Sequence, residues 1–231
     1  MMTREPARRI LLFSILLSWC IGLLLYRFAH SGSFAFAFLS WNLGLAAIPA
    51  VAAALFVRAA EKKQPGILQA ALFVIWLAFL PNAPYIVTDL VHLVPGTAMP
   101  LWYDLAMLGS CAGTGLLLGY TSLADVQAVI AVKYSTRLGW VLAIAALLLS
   151  GFGIYLGRFL RWNSWDAFTN PGPLFRDIAQ RLSDPLFYPQ AIGVTLVFGI
   201  TLLLGYIALR VLQPAFGPAG IRKEGQGVSA A

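Results

Sequence analysis

The sequence predicts an all-α, polytopic transmembrane helical bundle of about six spans, and three observations carry that prediction. Of 231 residues, 60% are hydrophobic and 11% are charged, whereas soluble domains carry about 25% charged residues. The apolar stretches are long and continuous, without the alternating strands of roughly ten residues that build a membrane barrel. In lipid the backbone must close its own hydrogen bonds, which leaves helices. Finally, basic residues concentrate in alternate connections, as the positive-inside rule requires of a multi-pass chain.

A hydrocarbon core about 30 Å thick takes roughly 20 helical residues. The candidate spans are Ile10–Phe28, Phe34–Val57, Ile67–Leu80, Leu101–Ala124, Leu138–Gly157 and Ala191–Val211. The third is short and meets Pro81-Asn82-Ala83-Pro84, where it either continues to about Ile86 or is broken. No small-x-small cleavage site follows the first span, so it reads as a retained helix. The expected organisation is a cytoplasmic segment over 1–9, one membrane domain over 10–213, and a flexible Gly-, Pro- and Ala-rich cytoplasmic tail over 214–231.

With both termini in the cytoplasm, the inner side holds Arg8, Arg9, Arg58, Lys62, Lys63, Lys133, Arg137 and Arg210, among others. The outer side balances Arg27, Arg158, Arg161, Arg176 and Arg181 against Asp89, Asp104, Asp166, Asp177 and Asp184. The net charge of +7 therefore lies inside. Membrane lipids are the expected partners there, since anionic headgroups attract such residues. Nucleic acid is not an expected partner. Cys20 and Cys111 fall in separate apolar spans, and no disulfide is expected between them.

The outer side holds the polar residues that need explaining. From Pro81 to Pro95-Gly96 the sequence predicts a short helix of about twelve residues, some 18 Å long, with Asn82 as its cap. Asn82, Tyr85, Asp89 and His92 then line one face, and Ile86, Leu90 and Leu93 the other. Asp89 and His92 are weak candidates for a metal pair, or for an acid–base pair. Two ligands fall short of the three or four a metal site takes. An interfacial helix whose polar stripe meets water or headgroups explains the same pattern. Asp104 lies one turn inside the fourth span, where an acid faces a protein interior or a wet cavity; it can also complement an arginine or sit in the aromatic belt beside Trp102 and Tyr103.

A second cluster leaves the fifth span: Arg158, Arg161, Trp162, Asn163, Trp165 and Asp166. If the helix continues, Arg158, Arg161, Trp162 and Trp165 share a face suited to an anionic headgroup. Asp166 is a candidate partner for one of these arginines. Leu174–Ser183 predicts an amphipathic surface helix with an Asp177–Arg181 pair opposite its apolar side. Pairs of glycines at i, i+4 (Gly109 and Gly113, Gly115 and Gly119, Gly153 and Gly157) predict close helix contacts, with spans four and five as candidate partners. No zinc-cysteine cluster, phosphate loop or nucleophile elbow occurs, and the identity of any cofactor is unknown from the sequence.

The stretch Leu80-Pro-Asn-Ala-Pro-Tyr-Ile-Val-Thr-Asp-Leu-x-His-Leu, followed by Trp102-Tyr-Asp104 and by Gly157-Arg-Phe-Leu-Arg-Trp-Asn-Ser-Trp-Asp166, resembles the bacterial domain-of-unknown-function 1361 family. The resemblance covers roughly residues 30 to 212. It implies a multi-pass protein of the bacterial cytoplasmic membrane and transfers no activity. The residues themselves point first to an outer-face pocket for an anionic or lipid-linked ligand, built from Asn82, Tyr85, Asp89, His92, Asp104, Arg158, Arg161, Asn163 and Asp166. A membrane enzyme using Asp89 and His92 on a lipid-borne substrate, a small-solute permease and a structural membrane component are the alternatives.

Overall fold

The computed structural model describes residues 4–95, 98–184 and 187–212. The expected flexible tail, 214–231, lies outside the described residues. The helices are α1 (Arg4–Ser31), α2 (Phe38–Glu61), α3 (Gly66–Phe79), α4 (Asn82–Tyr85), a 3-10 helix (Ile86–His92), α5 (Leu101–Lys133), α6 (Thr136–Phe159), α7 (Asp166–Thr169), α8 (Pro171–Ser183) and α9 (Pro189–Leu212). Among the described residues six segments are long and apolar enough to cross a membrane, the third running from Gly66 to His92 through α3, α4 and the 3-10 helix.

Local chemistry sets several boundaries. Ser135 caps α6 by accepting a hydrogen bond from the Leu138 backbone N–H at 3.1 Å, and Pro171 opens α8 with its φ already fixed for a helix. The second span starts at Phe38 and not at Phe34, because the preceding residues close a turn through Ala37 N–H to Phe34 O. The fourth helix runs on past Ala124 to Lys133.

The third span is continuous in hand across its prolines. Leu80 (φ −53°, ψ −40°) and Pro81 (φ −59°, ψ −24°) stay right-handed. Pro81 and Pro84 supply no N–H to the helical ladder, and beyond Tyr85 the chain tightens to 3-10 winding. The packing of this turn corrects the expected amphipathic helix, since residues three apart are neighbours in either winding. With three residues per turn, Ile86, Asp89 and His92 stack along one edge. Ile86 and Asp89 are both buried, so Ile86 does not oppose the polar stripe, and the stripe turns into the bundle at Asp89 while His92 stays exposed. Asn82 is no cap either: its amide donates to Phe79 O at 3.0 Å and to Ser164 Oγ at 2.8 Å.

Glycines receive this proline-bearing turn. A Cβ on Gly115 would meet Ala83 O at 2.5 Å, and one on Gly153 would meet Pro81 side-chain carbons at 2.6 Å. Gly119 faces Ala83, and Gly157 faces the Tyr85 ring. The small faces of α5 and α6 thus both hold the third span and do not meet one another. Among the described residues Gly109 and Gly113 approach nothing and make no such contact, whereas Gly151 meets Gly199 of α9.

Helix association in lipid rests on packing and internal hydrogen bonds, because the surroundings are as apolar as the side chains. One core gathers α2, α3, α5, α6 and α9 around Trp76, Leu123, Val126 and Tyr206. Trp76 Nε1 donates to Ser122 Oγ at 3.2 Å, and the Tyr206 hydroxyl donates to Gln127. A second core gathers α1, α2, α5 and the third span around Leu39, Leu43, Ile86, Met107 and Cys111. Polar ties also bind α1. Arg9 pairs with Asp125 at 2.8 Å, Cys20 Sγ contacts Thr114 Oγ1 at 3.4 Å, and the Tyr103 hydroxyl donates to Leu23 O at 2.8 Å. Arg27 Nε donates to Asp104 Oδ1 at 2.8 Å. Cys20 and Cys111 are both free thiols.

Candidate functional site

Asp89 sits on the buried edge of the 3-10 helix, with 1% of its side chain exposed. An ionised carboxylate so placed requires partners, and two other helices supply them. Asn42 of α2 donates from Nδ2 to Oδ2 at 2.8 Å. Arg158, in the last turn of α6, donates from Nη1 to Oδ1 at 3.3 Å and from Nη2 to Thr88 O at 2.7 Å. The Arg158 guanidinium also approaches His92 Nε2 at 3.4 Å and lies 5.8 Å from the Tyr85 ring centre. The helix C-terminus is itself a favourable place for a cation. The two polar clusters therefore converge, at Asp89 with Arg158 and again at Asn82 with Ser164.

Other expected site residues lie elsewhere. Asp104 belongs to the buried pair with Arg27, which also stands 4.3 Å from the Phe36 ring centre. Helix α6 does not continue to Trp165. It ends at Phe159, and Arg161 takes the left-handed conformation (φ +62°) while Trp162 N–H turns back to Leu156 O. Arg161 is therefore exposed and does not share a face with Arg158. Asp166 accepts from the Asn163 backbone N–H at 2.7 Å, a local turn and not a pair with an arginine. Among the described residues no three His, Cys, Asp or Glu side chains gather as a metal site. Arg158 places a cation beside both Asp89 and His92, which opposes a metal ion there.

The sequence does not single out one large concavity. A cleft of about 1010 Å³ runs between α3 and α6, bounded by α2 and α9, with α7 and α8 at its polar end. Asn82, Tyr85 and Asn163 line it, joined by Asn42, Ser164, Trp162 and Arg181; Asp89, His92, Asp104, Arg158, Arg161 and Asp166 do not. Its long walls are apolar: Leu77, Leu148, Leu149, Phe152, Leu156, Ile192 and Leu196. Leu149, Ile192 and Leu196 are also exposed on the bundle surface, so the cleft opens sideways.

Helix α8 closes the polar end. Leu174 is buried, and Leu174, Phe175 and Ile178 turn towards the cleft. Trp162 Nε1 donates to Asp177 Oδ2 at 2.9 Å, tying α8 to the loop after α6. Asp177 and Arg181 form the expected pair at 3.6 Å. Arg181 does not face away from the apolar side, however: it lines the cleft, with 11% of its side chain exposed, and donates to the Tyr155 hydroxyl at 3.2 Å. Asn42 carried a usable signal in sequence, as an amide inside an apolar span. Ser164 and Arg181 carried none that distinguishes them from surface residues.

Six apolar spans and a sideways cleft with a polar end define a multi-pass helical membrane protein. A family model described as "Protein of unknown function (DUF1361)" matches residues 41–204, and the chain belongs to that family. The match takes in the cleft and the Asn42–Asp89–Arg158 network and begins after α1. No curated protein and no solved structure matches the chain.

Proposed function

We propose that the protein binds a membrane amphiphile, with its acyl portion along the α3–α6 cleft and its headgroup at the polar end, on the outer face of a bacterial cytoplasmic membrane. The observation that carries this is the shape of the cleft. From Gly157 to Ala145 it follows α6 for about 18 Å at 1.5 Å per residue, more than half of a hydrocarbon core of about 30 Å. Its volume stands at the upper end of the roughly 300–1,000 Å³ of small-molecule sites. Mostly apolar walls, interrupted by the Thr195 hydroxyl, a lateral opening and hydrogen-bonding groups concentrated at one end fit a lipid better than a polar solute. The Asp89 network, whose carboxylate oxygens are each already held, acts in this scheme as the brace that fixes Tyr85 and the cleft wall.

Ala145 and Leu149 line the deep half and are exposed, so enlarging them leaves the cores intact. Protein purified in mild detergent should retain lipid, and A145F or L149W should lose most of it while unfolding at an unchanged temperature. Equal retention by all three proteins would overturn the proposal.

A further inference from the structure

We infer that Arg181 receives the anionic headgroup of the lipid held in the cleft, an inference that rests on the cleft holding lipid at all. Arg181 is the one charged residue among those lining the cleft. The other arginines of the polar end are differently placed. Arg158 is bound to Asp89 and Thr88 O, and neither it nor Arg161 lines the cleft.

The guanidinium of Arg181 is positioned but not saturated. Nε donates to the Tyr155 hydroxyl at 3.2 Å, and Nη1 donates to the Asp177 backbone O at 2.7 Å. The Asp177 carboxylate stands 3.6 Å from Nη1, beyond ordinary hydrogen-bond length, and accepts from Trp162 instead. Nη2 has no hydrogen-bond partner among the described residues. The Tyr155 and Tyr188 ring centres lie 6.0 and 5.0 Å from the guanidinium carbon, holding the plane in place. An arginine so fixed, with a donor to spare beside an apolar cleft, matches a phosphate or carboxylate oxygen in charge and geometry. Asn82, Asn163 and Ser164 complete the mouth as neutral hydrogen-bonding groups that fix orientation without adding charge.

The test uses the full chain in vesicles of equal parts phosphatidylglycerol and phosphatidylcholine with matched acyl chains. The protein is solubilised, and the retained lipids are counted by mass spectrometry. The wild type should retain phosphatidylglycerol preferentially. R181Q should reduce that preference about tenfold, the order expected for one charge-assisted hydrogen bond, and leave phosphatidylcholine retention unchanged. R181K should keep more of the preference than R181Q, and millimolar inorganic phosphate should not displace the lipid. An R181Q protein with undiminished preference would overturn the inference, as would equal loss of both lipids or displacement by phosphate alone. These outcomes are separable from failure of the cleft proposal itself. In that case A145F would match the wild type in total lipid, whatever its headgroup preference.

Discussion

Arg158 meets Asp89 at 3.3 Å across the seam between α6 and the 3-10 helix, with the Asp89 side chain buried and the Arg158 side chain 21% exposed. This contact joins the third span to the fifth and places Tyr85 against the cleft. Removing one partner of a buried pair leaves the other uncompensated and costs about 3–5 kcal/mol. R158A should therefore lower the unfolding temperature in detergent sharply. D89A should also destabilise, and the double variant should cost less than the sum of the singles, with a coupling of about 0.5–3 kcal/mol. Additive losses would show that the two side chains do not act as a pair.

The glycines offer an internally controlled comparison. G115A and G153A push a methyl group into Ala83 O and Pro81, and overpacking of this kind costs about 1–3 kcal/mol. G109A and G113A place theirs in open space. They should be neutral or stabilising by up to about 1 kcal/mol, through the loss of glycine's backbone freedom. Equal effects at all four positions would contradict the seating of the third span in α5 and α6.

The Arg27–Asp104 pair is more deeply buried, at 4% and 1% exposure. R27A or D104A alone should strip α1 from the bundle, measured as faster proteolysis between α1 and α2. Replacing both with apolar residues of similar size, R27M with D104L, should restore protection, since buried pairs often exchange for apolar packing at no loss or with a gain of about 1–4 kcal/mol. A double variant as labile as the singles would mean that the charges do more than compensate one another.

Orientation follows from the basic connections at Lys62–Lys63 and Lys133. Reporter fusions after residues 62, 95, 133 and 175 should read in, out, in and out. A fusion after 95 reporting the same side as one after 133 would remove α5 from the list of spans.

Hydropathy made the spans legible because length and apolarity alone decide which helices cross a membrane. The details that failed all depend on which neighbour a residue meets. Ile86 shares an edge with Asp89 because residues three apart are neighbours in α and 3-10 winding alike, and no sequence period names Asn42 and Arg158, which meet that edge. Gly115 and Gly153 were recognised as contact points, but a small residue does not name the side chain that fills its space. Arg158 and Arg161 are equivalent only on a helix that continues; the left-handed turn at Arg161 separates them. Arg181 read as the outward half of an exposed pair because α8 appeared as an isolated surface helix. Only its docking over Tyr155, Trp162 and the cleft turns that arginine inward.

The polar ties of α1 also impose an order of events during synthesis. Arg27 leaves the ribosome 77 residues before Asp104. At about 5–20 residues per second its charge waits for about 4–15 s without the carboxylate that will bury it. Throughout that interval the long side chain must reach for the membrane–water boundary. The first helix therefore enters the bilayer as a provisional tenant, and settles against its neighbours only once the fourth span has been translated.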